Sequence, residues 1–286
     1  NEAPWFADDP VVSEGSGRPC VSPVGGDQTW DAWLTDHPEH REWAAERWLG
    51  AYRRLGAPPA ALEETRRSLH RVATHVVAPA RFRANGKIGL RWTRGGFGTP
   101  FFGDDRQVRV EGTRLVAGAE AAPLTSLAEA ARLALDGPPD LGWVAALQLH
   151  DPPEPADPDE PLVVDADAAA WLADWFGLAW SVLEELRADP AAVEAGRVQL
   201  WPEHFDAAVD IGAGDTRASY GFSPGFAPGE APYAYVSLWS PDAVPDDPRW
   251  NATTFRGAQL PLPSDRATVL GWLQDVLVSL SHRFGG

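Results

Sequence analysis

Apolar residues recur along this chain with two periods, and the switches between them divide it into elements. In "HPEHREWAAERWLGAYRRLG", His37 to Gly56, the residues Ala45, Trp48, Leu49, Tyr52 and Leu55 share one side of a predicted helix. A second helical pattern runs from about Ala60 to Val77, with Leu62, Leu69, Ala73 and Val76 on one face and Pro79 expected to close it. Three strand-like stretches follow, "KIGLRW", "RQVRVEG" and "TRLVAGA". The last two alternate apolar with charged residues and meet at Glu111-Gly112, a hairpin signal. "TSLAEAARLAL", Thr125 to Leu135, predicts a short helix with Thr125 as its cap.

Beyond residue 160 the pattern starts again. Asp165 or Asp167 caps a helix in which Trp171, Trp175, Leu178 and Val182 follow helical spacing, flanked by Leu172, Phe176, Ala179 and Leu183. Apolar residues cover so much of its circumference that this helix is expected to be central. Strands are predicted at about 197–211, 215–222 and 232–239, with a shorter one at "AQLPL". Ser264 then caps a last helix striped by Val269, Leu273, Val276, Leu277, Leu280 and Phe284.

Both parts therefore read as helix, strands, helix. The prediction is an α+β fold: a mainly antiparallel, pseudo-duplicated sheet covered by long helices. It forms one domain over residues 29–286, with similar halves at about 57–136 and 162–286, after an irregular Gly/Pro/Ser-rich arm over 1–28. Two loops repeat a local pattern: Gly96-Phe97 with Phe101 parallels Gly221-Phe222 with Phe226. Glycine and proline permit tight loops whose phenylalanines fold over an apolar cavity. A small, partly apolar ligand between these loops is the expected function, with Arg91, Arg94 and His70 as further lining residues.

Composition narrows the partners. The net charge of −17 argues against a phosphate-binding surface, so neither nucleic acid nor an anionic membrane is expected. Acidic runs such as "DPPEPADPDEP", Asp151 to Pro161, read as solvated loop. Cys20 is the only cysteine, which removes any internal disulfide framework and fits a reducing cytoplasm. No apolar run reaches the length that spans a bilayer, and the first residues carry no basic-then-apolar signal pattern. Lys87 is the only lysine among 24 basic residues, an Arg-for-Lys usage typical of a GC-rich genome.

The densest polar cluster lies in "RVQLWPEHFDAAVDIG", Arg197 to Gly212. In a single strand His204, Asp206 and Asp210 share one face, and Glu203 with Phe205, Ala207 and Val209 the other. An imidazole beside a carboxylate can orient a general base or form part of a metal site. His204 and Asp206 are thus the candidate catalytic pair of a hydrolase or isomerase, and His150, beside Asp151, is the first candidate for a third metal ligand. The alternative is a polar sheet edge. No His-x-x-x-His, Cys-x-x-Cys, Gly-x-Ser-x-Gly or phosphate-loop pattern is present, and no motif names a cofactor or an oligomeric state. His70 and His75, five residues apart on one helix, cannot serve one ligand; His70 borders the apolar stripe and His75 is expected on the polar side. A non-catalytic interaction module, using the acidic loop and the Trp-rich helices, is the third class.

Several motifs in order resemble an actinobacterial family of uncharacterised proteins, a domain of unknown function. They are Leu69-His70 on a helix, the strand and loop "LRWTRGGFGTPFF", "FDAAV" at Phe205 to Val209, and "GFSPG" before "YAYV". An "LP" strand then leads into the final helix. The order covers residues 60 to 284. The resemblance implies a fold and no activity; it favours Asp206 over Glu203 and His204.

Overall fold

The computed structural model describes residues 55–286 apart from 94, 101, 103–105, 149–156, 241–244, 264 and 285–286, together with 20–21, 28–29, 35–36 and 38–42. Within the predicted arm, β1 (Cys20–Val21) and β2 (Gln28–Thr29) pair in a short antiparallel ribbon. The helix read over His37 to Gly56 lies largely outside the described residues, as do the Ser264 cap, Arg94, Phe101 and His150.

The second helix does not end at Pro79. It runs as α1 (Leu62–Val72), widens through one π turn (Ala73–Val77) and continues as α2 (Ala78–Asn85), where Gly86 at φ 72° stops it. Pro79 falls in the first turn of α2, where its missing N–H is not required. The wider turn also changes the helical phase, and His75, expected on the polar side, is buried with Nδ1 3.2 Å from the Asp140 carbonyl.

Next comes a five-stranded antiparallel meander, β3 (Arg91–Thr93), β4 (Gly96–Gly98), β5 (Val108–Glu111), β6 (Arg114–Ala117) and β7 (Glu120–Pro123). Its inner row, Trp92, Phe97, Val110 and Leu115, is fully buried. Helix α3 (Leu127–Leu135) follows, capped by Ser126 rather than Thr125: the Ser126 hydroxyl accepts the Glu129 N–H at 3.2 Å. A single turn, α4 (Trp143–Ala146), precedes the central helix α5 (Ala166–Leu186), whose cap is Asp165.

The second half repeats this plan. A second meander, β8 (Gln199–Trp201), β9 (Asp206–Ile211), β10 (Ala218–Ser223), β11 (Tyr233–Leu238) and β12 (Gly257–Pro261), leads into α6 (Arg266–Phe284). The α+β class and the helix–strands–helix repeat are thus as predicted, with the strands in two sheets. Leu90 and Leu200 exchange backbone hydrogen bonds of 2.8 and 2.9 Å, so the first strands of the two meanders meet edge to edge. Helix α5 packs across this seam on β3, β4, β9 and β10. Trp175 and Phe176, both fully buried on α5, meet Phe222 and Phe97 respectively, and one hydrophobic cluster extends from Leu62 to Leu280.

The local Gly-Phe repeat does not follow the larger one. Phe97 stands on the second strand of its meander and Phe222 on the third of its own.

Candidate functional site

The cluster from Arg197 to Gly212 is a hairpin, not one strand. Trp201 pairs with Asp206 across a four-residue turn, Pro202 to Phe205. Proline suits its first position through its fixed φ, and the Phe205 N–H closes it by donating to the Trp201 carbonyl at 2.7 Å. Phe205 takes a left-handed φ of 54°, a conformation that costs a residue with a Cβ about 1 kcal/mol or more.

Helix α1 holds this turn in place. His70 Nε2 lies 3.0 Å from the carbonyls of both Pro202 and Glu203. Two acceptors require a hydrogen on that nitrogen, and burial pushes the imidazole down to about 3, so His70 is a neutral donor. The Thr74 hydroxyl reaches the Pro202 carbonyl at 2.7 Å. The buried Phe205 ring stacks on His70 and meets Phe97 and Phe176 edge-on. Strand alternation therefore fails across the turn. Glu203, placed opposite Asp206 by simple alternation, lines the same groove as His204 and Asp206.

That groove, about 670 Å³, runs over the outer face of the second sheet. The inner face carries Ala207, Val209, Tyr220, Phe222, Ala234 and Val236, all buried against the helices. The outer face carries Asp206, Ala208 and Asp210 on β9, Ser219 and Ser223 on β10, and Tyr233, Tyr235 and Ser237 on β11. Gly221 sits between Ala208 and Tyr235 in register. A Cβ built there would lie 2.5 Å from the Tyr235 ring, so the glycine lets the tyrosine lie flat across β10. The Tyr235 hydroxyl thereby reaches β9 and donates to Asp206 Oδ2.

Asp206 is 6% exposed, and its other oxygen, Oδ1, has no hydrogen-bond partner from another residue. Burial raises its pKa, against the opposing pull of His204 and of the Tyr235 bond. Tyr235 is held well above its ordinary value, first by burial and then by the neighbouring Asp206 carboxyl. Asp210 is differently placed: its Oδ1 accepts from the Ser219 hydroxyl at 2.7 Å, and Ser219 Oγ accepts from the Trp239 indole at 3.1 Å. Trp239, 58% exposed, marks that end of the groove, with the Arg217 guanidinium stacked on it.

The opposite rim is the "GFSPGFAPG" loop, tied to α1. Buried Arg66 donates to the Phe226 carbonyl at 3.0 Å, and Glu63 accepts from the Gly229 N–H at 3.2 Å. Glu230 caps the loop by accepting from the N–H groups of Phe226 and Ala227 at 2.7 and 3.1 Å. This leaves the Phe226 ring half out of the protein, facing His204. Phe255 forms the far wall, stacked on Tyr233 and edge-on to Tyr235.

Of the residues singled out in the sequence, His204, Asp206 and Phe226 come together here. Phe97 and Phe222, expected to face a pocket between the two Gly-Phe loops, are 1% and 0% exposed and packed on Phe176 and Trp175. Gly96 belongs to the first sheet, where Val110 leaves no room for a Cβ, and Arg91 is half-buried on β3; neither lines the groove. Gly221 contributes as the floor beneath Tyr235. His70 supports the groove from behind through the hairpin turn rather than lining it. Tyr233, Tyr235 and Phe255 were missed; the alternation of "YAYV" was the available sign that both tyrosines share a face. Among the described residues no group of three or more His, Cys, Asp or Glu side chains is placed to hold a metal ion, and no helix is long and apolar enough to cross a membrane.

No protein-family model, no curated protein and no solved structure matches this chain.

Proposed function

We propose that the chain binds a small, partly apolar molecule in the groove of the second sheet. The observation that carries this reading is the combination of aromatic walls with Asp206, a nearly buried carboxylate whose second oxygen has no partner from another residue. A buried acceptor without a hydrogen bond costs roughly 1–3 kcal/mol, and a bound donor removes that penalty. The groove volume is in the range of sites that enclose small molecules, about 300–1,000 Å³. We also take the actinobacterial family resemblance as part of this proposal. It adds an order of motifs and no activity.

Thermal-shift screening of a small-molecule library tests the reading, with Ser237→Trp as the variant that fills the groove. Ligands that stabilise the native chain and not the variant are the expected result, because binding to the folded state raises stability with ligand concentration. Ligands that stabilise both proteins equally would place binding elsewhere.

A second reading, an acid–base enzyme of hydrolase or isomerase type, is favoured by one observation: His204 and the Asp206–Tyr235 pair share one wall. Burial shifts the pKa of Asp206 upward, toward the range useful for proton transfer. For any turnover found with a ligand of the groove, His204→Ala should lower kcat by at least about a hundredfold while the ligand still binds. Unchanged turnover would remove His204 from the chemistry.

A further inference from the structure

Among the described residues, those lining the groove include four carboxyl side chains, Glu203, Asp206, Asp210 and Glu230, and no lysine or arginine. The single basic side chain among them is His204. An anionic ligand would meet four carboxyl side chains against one imidazole among these residues, so the sign of the groove selects the opposite sign of ligand.

The carboxylates are not equivalent. Glu230 spends one oxygen on the backbone of its own loop, and Asp210 accepts from Ser219. Asp206 is the one held in the groove floor with Oδ1 buried and without a hydrogen-bond partner from another residue, its Oδ2 fixed by Tyr235 and its backbone fixed by the hairpin. Rings stand around it: Tyr235 lies beside it, and Tyr233 and Phe255 continue the wall. Aromatic faces attract cations, and a carboxylate oxygen calls for an N–H donor. A metal ion does not fit this set, because no three ligating side chains among the described residues converge. A quaternary ammonium would satisfy the rings but leave Oδ1 without a hydrogen.

We propose that the groove recognises a protonated organic amine, its ammonium N–H donating to the Asp206 carboxylate and its apolar part lying against Tyr233, Tyr235 and Phe255. This rests on the reading that the groove is a ligand site. The ammonium end enters beside the hairpin, and the apolar end points along β11.

Three probes of one shape separate the two claims: 2-phenylethylammonium, the neutral 2-phenylethanol and the anionic 3-phenylpropanoate, each titrated at neutral pH into the native chain and followed by two-dimensional NMR. The amine should shift resonances of the groove residues and bind roughly tenfold or more tighter than the alcohol, the anion weakest, as a charge-assisted hydrogen bond requires. In Asp206→Asn the gap between amine and alcohol should close to about twofold or less. Asp210→Asn, whose oxygen is already engaged, should leave most of the gap in place. Alcohol and amine binding equally in the groove would overturn the amine proposal and leave the ligand site standing. A gap that survives in Asp206→Asn, with the variant's spectrum otherwise native, would overturn the assignment to Asp206. No groove shift with any probe at millimolar concentration would overturn both.

Discussion

The two meanders have the same order of strands and the same central helix behind them, yet their outer faces differ. In the first sheet Gly98 allows close approach of Arg109, whose Cβ lies 2.4 Å from where a glycine Cβ would stand, and Arg109 pairs with Glu111 at 2.8 Å. Its neighbouring positions are Arg91, Arg114 and Val116. In the second sheet Gly221 allows the same close approach, but the incoming side chain is Tyr235, which ends on a buried acid. The same device, a glycine in mid-sheet, produces a charge-paired surface in one half and an aromatic, acidic groove in the other. Topology sets where a face lies; the side chains laid across the glycine set what it does.

The largest expected effect tests whether the two Gly-Phe motifs are core. Phe97→Ala and Phe222→Ala should each lower stability by about 3–5 kcal/mol in denaturant titrations, as for large buried aromatics elsewhere. Neither should move the site of probe binding among molecules that stay folded. Selective loss of binding in Phe222→Ala at little cost to stability would restore the two-loop pocket.

Next comes the Pro202–Phe205 turn of the second sheet. His70 is neutral in the folded chain, with its imidazole held down to about 3 by burial and by Arg66 and His204 nearby. A depressed base contributes stability that is present above its unfolded value, near 6.5, and is lost as pH falls from there toward about 3. That loss should approach 3 kcal/mol between pH 7 and pH 4. Asp206 has the opposite sign: its raised pKa contributes stability that is full below the ordinary aspartate value and lost as pH rises through the raised one. Unfolding midpoints over this range should therefore show a steeper acid limb in the native chain than in His70→Gln, and a higher plateau above neutrality in Asp206→Asn. Parallel curves for all three would contradict both assignments.

Much of this comparison was legible in the chain and part was not. The apolar circumference of Ala166–Leu186 announced the central helix, and of the two caps offered, Asp165 and Asp167, the first is the one used. The hairpin read at Glu111-Gly112 joins β5 to β6, with Gly112 and Thr113 as its turn residues and Glu111 still in the strand. The Pro202–Phe205 turn was hidden because a phenylalanine, not a glycine or asparagine, occupies its left-handed position, an arrangement sustained by His70 from a distant helix. Simple alternation then sent Glu203 to the wrong face. Strands β4 and β7, rich in glycine and alanine, lack the β-branched residues that mark strands in sequence. Asp206 and His204 were visible as a pair, whereas Tyr235 and Phe255 join them only through the register of β9 to β12.

A smaller effect should come from the glycines themselves. Gly98→Ala and Gly221→Ala should each cost about 1–3 kcal/mol through overpacking, but only the second should displace Tyr235 and weaken amine binding. Equal effects on binding would mean that the flat tyrosine is incidental. The smallest is Tyr235→Phe, which removes one hydrogen bond to Asp206 and should change stability by about 1 kcal/mol. Asp206 then loses the donor that lowers its carboxyl pKa, which should rise further, as a carbon-13 titration would show.

The most direct test of the central claim is a chemical-shift map of the native chain titrated with 2-phenylethylammonium. The outer face of the second sheet should respond, at Asp206, Ala208, Tyr235, Ser237 and Phe255, while Arg109 and Val116 on the first sheet stay unchanged. Shifts on the first sheet of equal size, or none on the second, would contradict it.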